Sequence, residues 1–167
     1  ADLTSFEESS KLFRQHRPTH VIHLAVKLTA GSDMPKIAAD LLVDNVAIDT
    51  NTLRCAHEFG VRKVVSVLSS FAYPIDVMLP VTEAQLHAGP CHKMYESYGS
   101  AKRLLEILSR AYRTQYGKSF VTLIPSNIFG AVRELREDGP VVDAFISKAF
   151  HAKYKGEEFV IRGSGSP

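Results

Sequence analysis

Arg62-Lys-Val-Val-Ser-Val-Leu-Ser-Ser70 is the stretch on which the fold turns. Lys63 to Leu68 is short, β-branched and apolar on both faces, which is the pattern of a strand buried in a parallel sheet. Ser69 and Ser70 stand directly at its carboxyl end. Thr19-His-Val-Ile-His-Leu-Ala25 repeats the pattern upstream, and Ser119-Phe-Val-Thr-Leu-Ile124 repeats it downstream. Helical periodicity fills the gaps. One helix is expected from about Lys36 to Phe59, with Ile37, Leu41, Leu42, Val46 and Leu53 inward and Gly60 as its stop. A second should carry Tyr98 and run to about Tyr116, with Leu104, Leu105, Ile107, Leu108 and Ala111 inward, ending at Gly117. A shorter helix, capped by Thr4 or Ser5, runs to about His16 and stops at Arg17-Pro18. Lys27 to Pro35 reads as a loop. Phe71 to Tyr95, with Pro74, Pro80, Gly89 and Pro90, reads as a long irregular segment of the kind that is usually functional. After a charged loop from Ala131 to Gly139, a helix over Val141 to Ala152 and a strand over Glu158 to Arg162 are expected. Such alternation predicts an α/β fold with a doubly wound parallel sheet, whose ligands lie beyond the carboxyl ends of the strands at Ala25, Ser69 and Ile124 to Asn127.

The 167 residues suffice for one domain with a real core, and 45% hydrophobic with 23% charged residues is ordinary for a soluble protein. A formal charge of +2 argues against nucleic acid or an anionic membrane as partner. Cys55 and Cys91 form no CxxC pair, which excludes a disulfide framework and a cysteine-rich zinc site and suits a reducing, cytoplasmic compartment. No HExxH pattern joins the seven histidines, so no metal is expected. The apolar runs are too short for a membrane span. The start at Ala1 has neither an initiator Met nor a signal-like segment, and it reads as the middle of a longer chain.

The chemistry centres on Tyr98-Gly-Ser-Ala-Lys102. In a helix Tyr98 and Lys102 project from one face. An ammonium beside a phenol is expected to lower the phenol's pKa toward the working pH. A helix starting near Tyr98, after the strand that ends at Ser69, brings the serine hydroxyl and the phenol together on one substrate carbonyl oxygen. That arrangement suits hydride transfer to a ketone, where a forming alkoxide must receive a proton.

These residues resemble the extended short-chain dehydrogenase/reductases, and within them the GDP-L-fucose synthase branch. The likeness rests on Ala1 to Thr4, Pro18 to Ala25, Arg62 to Ser70, Tyr98 to Lys102, Gln115 to Gly117 and Ile124-Pro-Ser-Asn-Ile-Phe-Gly130. It implies a Rossmann-like domain binding NADP(H) and a nucleotide sugar. Ser69, Tyr98 and Lys102 would be catalytic, with Lys102 also on the cofactor ribose. Asp2 and Leu3 would flank the adenine, Leu24 and Ala25 would touch the cofactor, and Pro125 and Asn127 would lie beside the nicotinamide. Asn45 matches a helix asparagine used in a proton relay, or else caps a local bend. The resemblance also implies a homodimer through the helices near 36–59 and 98–116.

Departures from the family are equally informative. The cysteine expected two residues after the catalytic serine is Phe71, and the epimerising histidine is Pro140. Neither side chain moves a proton, so reduction is expected to outlast epimerisation. Cys91 and His92 are the alternative proton carriers. Ala131 to Leu135 replaces the family's usual run after Phe-Gly, and Arg162 replaces a substrate-side tryptophan. No G-x-x-G-x-x-G occurs. The chain therefore reads as the central to C-terminal part of one dinucleotide-binding domain, without the first nucleotide-binding strands or the C-terminal substrate region. The alternative is a catalytically degenerate relative serving as a structural or regulatory subunit.

Overall fold

The computed structural model describes residues 1–29, 31–126, 128, 130 and 141–161. Three parallel strands lie in the order β1-β2-β3: β1 (His20–His23), β2 (Lys63–Val67) and β3 (Ser119–Leu123). Helix α1 (Phe6–His16) precedes β1, α2 (Ala38–Glu58) joins β1 to β2, and α3 (Glu96–Tyr116) joins β2 to β3. The register places His23 opposite Ser66 and Ser66 opposite Thr122. This is the Rossmann-like α/β arrangement expected from the alternation of strand and helix.

Local signals explain the helix ends. Ser5 caps α1 by accepting from the Glu8 amide at 3.3 Å, and Arg17 closes it with a positive φ of 45°. Gly117 closes α3 at φ 62°. That left-handed turn lets its amide reach the Arg113 carbonyl, an end that glycine takes without Cβ strain.

Side chains alternate across the sheet. His23, Val64, Ser66 and Phe120 are buried on one face. There α2 and α3 deliver Leu53, Cys55, Ala56 and Leu105 to a core shared with Val64, Leu68 and Phe120. The opposite face stays open among the described residues. Ile22 is 72% exposed and Leu24 is 65% exposed, and Val121 and Leu123 are exposed too. The sequence expectation that β1 would be buried on both faces therefore holds for only one of them.

Three further expectations need correcting. Gly31–Ile37 forms a 3-10 helix leading into α2, where a loop was expected. Leu42, Leu104, Ile107 and Ala111 are exposed rather than inward, because the α2–α3 seam is narrower than the apolar stripe on either helix. The long segment after β2 is irregular as expected, with three short 3-10 turns at Ser70–Ala72, Glu83–Gln85 and Lys93–Tyr95. Residues 158–161 form no strand, since no ladder partner meets them among the described residues, and Arg162 lies outside those residues.

The chain divides into two compact units, 1–126 and 127–167. The described part of the second contains α4 (Val141–Lys155), which runs one turn beyond its expected end at Ala152. Asp143, Ala144 and Ser147 are its buried residues. Among the described residues no helix is long and apolar enough to cross a membrane.

Candidate active site

Ser69 ends the run after β2, and its hydroxyl accepts from the Phe71 amide at 3.3 Å, capping the 3-10 turn Ser70–Ala72. Arg103 of α3 fixes that turn from outside. Its Nε donates to the Ala72 carbonyl at 2.6 Å and its Nη1 to the Gly89 carbonyl at 2.7 Å. Tyr98 lies in the first turn of α3 and is only 7% exposed. The Ser69 side chain lies near enough to the phenol to ease its ionisation. Lys102, one turn on and 3% exposed, holds its ammonium 5.9 Å from the Tyr98 ring centroid. The structure thus brings Ser69, Tyr98 and Lys102 together where β2 ends.

Gly99 allows this approach. A Cβ there would sit 2.5 Å from the Phe71 carbonyl oxygen and 3.0 Å from Cys91 Sγ. The turn carrying Ser69 can therefore lie against α3 only because residue 99 has no side chain.

The phenol does not behave as the sequence suggested. Burial pushes the Tyr98 pKa up, the neighbouring Ser69 hydroxyl acts against this, and the charge of Asp49 adds to the rise. Burial lowers the pKa of Lys102, and Asp49 pulls it back upward. Desolvation outweighs the help that an ammonium was expected to give, so both groups are biased toward their neutral forms. A phenol held protonated is a proton donor, which is the role that reduction of a carbonyl needs.

Asp49 was not anticipated. It sits on α2 at 3% exposure, and its Oδ1 lies 2.7 Å from Nε2 of the buried His23. The sequence carried a signal for it, a carboxylate at i+8 from Leu41 and i+4 from Asn45 on the buried stripe of α2.

The remaining candidates divide. Leu24 and Ala25 lie at the exit of β1, with Leu24 exposed and Ala25 half-buried. Asp2 is exposed; the amide and hydroxyl of Thr4 bond its carboxylate at 2.9 and 2.8 Å and hold its pKa below the ordinary value. Leu3 is tied to α2 through Asn51, whose Nδ2 donates to the Leu3 carbonyl at 3.0 Å. Asn45 bonds the backbone of Lys27 in both directions at 2.9 Å and also donates to the Leu41 carbonyl at 2.7 Å. It clamps the segment after β1 onto α2. Pro125 lines a separate cleft of about 940 Å³ with Ser70, Leu86, Arg110 and Arg113, a cleft that neither Tyr98 nor Lys102 lines. Asn127 and Pro140 lie outside the described residues.

Phe71, where the resemblance led one to expect cysteine, stacks on Tyr95 at 4.1 Å and meets Tyr98 edge-on at 6.4 Å. Cys91 is buried, with its Sγ directed to the Ala72 carbonyl at 3.8 Å and packed beside Gly99. His92 accepts from the Met94 amide at 3.1 Å, capping the Lys93–Tyr95 turn.

A model of the NAD dependent epimerase/dehydratase family matches residues 1–167. GDP-L-fucose synthase of Dictyostelium discoideum is 36% identical over 167 residues, covering 99% of this chain and 52% of that protein. A probable GDP-L-fucose synthase of Drosophila melanogaster is 40% identical over 130 residues, or 78% of this chain and 40% of that protein. Among solved structures, a GDP-L-fucose synthetase from Naegleria fowleri bound to NADP superposes with a TM-score of 0.85 at 35% identity, covering all of this chain and 55% of the other. The chain spans about half the length of the curated relatives it matches.

Proposed function

Because this chain belongs to the NAD dependent epimerase/dehydratase family, we propose that the protein carrying it is an NADP-dependent reductase of GDP-4-keto-6-deoxymannose, of the GDP-L-fucose synthase type. The observation that carries this reading is the cluster at the carboxyl end of β2, where the buried Tyr98 phenol neighbours Ser69 and the Lys102 ammonium lies 5.9 Å from the phenol ring. The names of the relatives above support the same substrate class and cofactor.

The residues present fit the nicotinamide half of such a cofactor. Lys102 offers an ammonium for ribose hydroxyls, and Leu24 and Ala25 at the exit of β1 offer small or apolar walls. When bound, a reduced nicotinamide supplies the hydride that goes to the carbonyl carbon. Tyr98 gives its phenolic proton to the carbonyl oxygen as that oxygen gains negative charge, and the Ser69 hydroxyl donates a hydrogen bond to the same oxygen. Lys102 holds positive charge behind the phenol as it becomes phenolate. The product is an alcohol.

Phe71 stands against Tyr95 with no group able to take a proton from a sugar carbon. Reduction is therefore the main activity proposed and epimerisation a minor one. Retention of Ser69, Tyr98 and Lys102 together weighs against a purely structural subunit. A second copy of the chain is the partner proposed for the outer faces of α2 and α3, where Leu42, Val43, Val46, Ala47 and Leu104 line a shallow apolar groove. The reaction is assigned to the cytoplasm. NADPH oxidation by the full-length protein, with the keto-deoxymannose nucleotide as substrate, tests this reading. Folded protein that binds the nucleotide sugar yet oxidises no NADPH contradicts it.

A further inference from the structure

Two buried ionisable side chains in this core, His23 and Asp49, play no part in the reduction described above. Nε2 of His23 lies 2.7 Å from Oδ1 of Asp49, with side-chain exposures of 2% and 4%. The second carboxylate oxygen, Oδ2, is buried and has no hydrogen-bond partner among the described residues. An orphaned carboxylate oxygen in a core is costly, and such groups persist where they serve another charge.

The helices show which charge is within reach. Both α2 and α3 return from one parallel strand to the next, so they run in the same direction. Leu41, near the start of α2, shares a buried cluster with Tyr98, near the start of α3. Asn45 and Asp49 follow Leu41 at helical spacing on the buried stripe of α2, and Lys102 follows Tyr98 on that of α3. His23 lies opposite Ser66 in the register, and the Ser66 hydroxyl is also buried and unpaired among the described residues. The titratable groups coupled to Asp49 include His23 from β1, in direct contact, and Tyr98 and Lys102 from α3, on which its charge acts.

We propose that Asp49, fixed by His23, is a positioning residue whose buried carboxylate is the counter-charge keeping Lys102 an ammonium ion beside Tyr98. A lysine at 3% exposure favours deprotonation unless an opposite charge is buried with it. His23 occupies one carboxylate oxygen and holds the side chain in place, leaving the other to act across the seam. The direction in which the Asp49 charge moves both α3 groups agrees with this. The proposal rests on the reading of Lys102 as part of a reductase site, but its test has a readout that needs no turnover.

In the full-length protein, NMR of isotope-labelled lysine, with Lys102→Met for assignment, follows the Lys102 titration. Asp49→Asn should lower its midpoint by about 1–3 pH units, the effect of removing a nearby opposite charge. The alkaline limb of the turnover profile should move down with it. An unchanged midpoint in folded Asp49→Asn overturns the proposal. Should that variant not fold, Lys102→Met decides, because coupling is reciprocal. Loss of the ammonium must raise the midpoint of the Asp49 carboxyl, and no rise overturns the proposal. A wild-type protein that shows the coupling but oxidises no NADPH sinks the reductase reading and leaves the counter-charge standing.

Discussion

The ring of Phe71 stacks on the ring of Tyr95, their centroids 4.1 Å apart and their planes 15° from parallel. Phe71 is 39% exposed, so this pair forms an aromatic wall at the edge of the site rather than part of the core. Phe71→Ala removes the stack and the edge contact with Tyr98, and should cost about 1–2 kcal/mol of stability. Chemical denaturation of the full-length protein measures it. In product analysis the wild type should yield reduced sugar with its ring stereocentres largely uninverted; full inversion at both carbons would show that Phe71 does not block epimerisation.

Gly99 has the most restrictive surroundings among the described glycines. Gly99→Ala places a Cβ where the Phe71 carbonyl already lies, at 2.5 Å, and backbone cannot yield as a flexible side chain does. Overpacking of this kind typically costs about 1–3 kcal/mol. Because the strain falls on the turn carrying Ser69, turnover should fall further than stability alone explains. Parallel measurement of the denaturation midpoint and kcat separates the two, and a fully active variant of normal stability would contradict this account of the turn.

Arg103 joins α3 to the Ala72 and Gly89 carbonyls. Arg103→Met leaves both oxygens without that donor and should destabilise by about 2–4 kcal/mol, given roughly 1.5–3 kcal/mol for each charge-assisted bond and partial solvent access. Arg103→Lys should recover only part of this, since an ammonium cannot reproduce the guanidinium fork. Increased proteolysis within residues 71–95 is the expected signature of either variant.

The two shifted groups on α3 predict opposite alkaline behaviour. Tyr98 has its folded pKa above the ordinary value near 10. Its contribution to stability is complete below that value and is lost as pH rises through the folded pKa. Lys102 has its folded pKa below 10.5, so its burial cost is present below that folded value and fades as pH rises toward 10.5. Tyr98→Phe should therefore lose less stability above about pH 10 than the wild type. Lys102→Met should abolish the gain in stability toward pH 10.5 while losing turnover. Denaturation midpoints measured across the alkaline range test both signs.

Much of this fold was legible in the sequence because strands and caps announce themselves locally. Lys63 to Val67 and Ser119 to Leu123 are β-branched runs, and Ser5, Arg17-Pro18 and Gly117 mark helix ends by backbone chemistry. The faces of α2 and α3 were less legible. Leu42, Leu104 and Ile107 are apolar by composition, but which apolar residues meet across the seam depends on how the helices pack. At the site, the spacing of Tyr98 and Lys102 and the position of Ser69 were readable. The sign of the Tyr98 shift was not, because it depends on how far burial outweighs a neighbouring charge. Asp49 escaped notice because its partner, His23, lies 26 residues away on another element.

The most direct test is NADPH oxidation by full-length wild type and Tyr98→Phe, with the keto-deoxymannose nucleotide as substrate and NADPH binding measured alongside. The wild type should turn over, and the variant should bind NADPH with little change while losing about 10²–10⁴-fold in kcat. A variant that reduces the sugar at the wild-type rate would contradict the assignment of the proton to Tyr98.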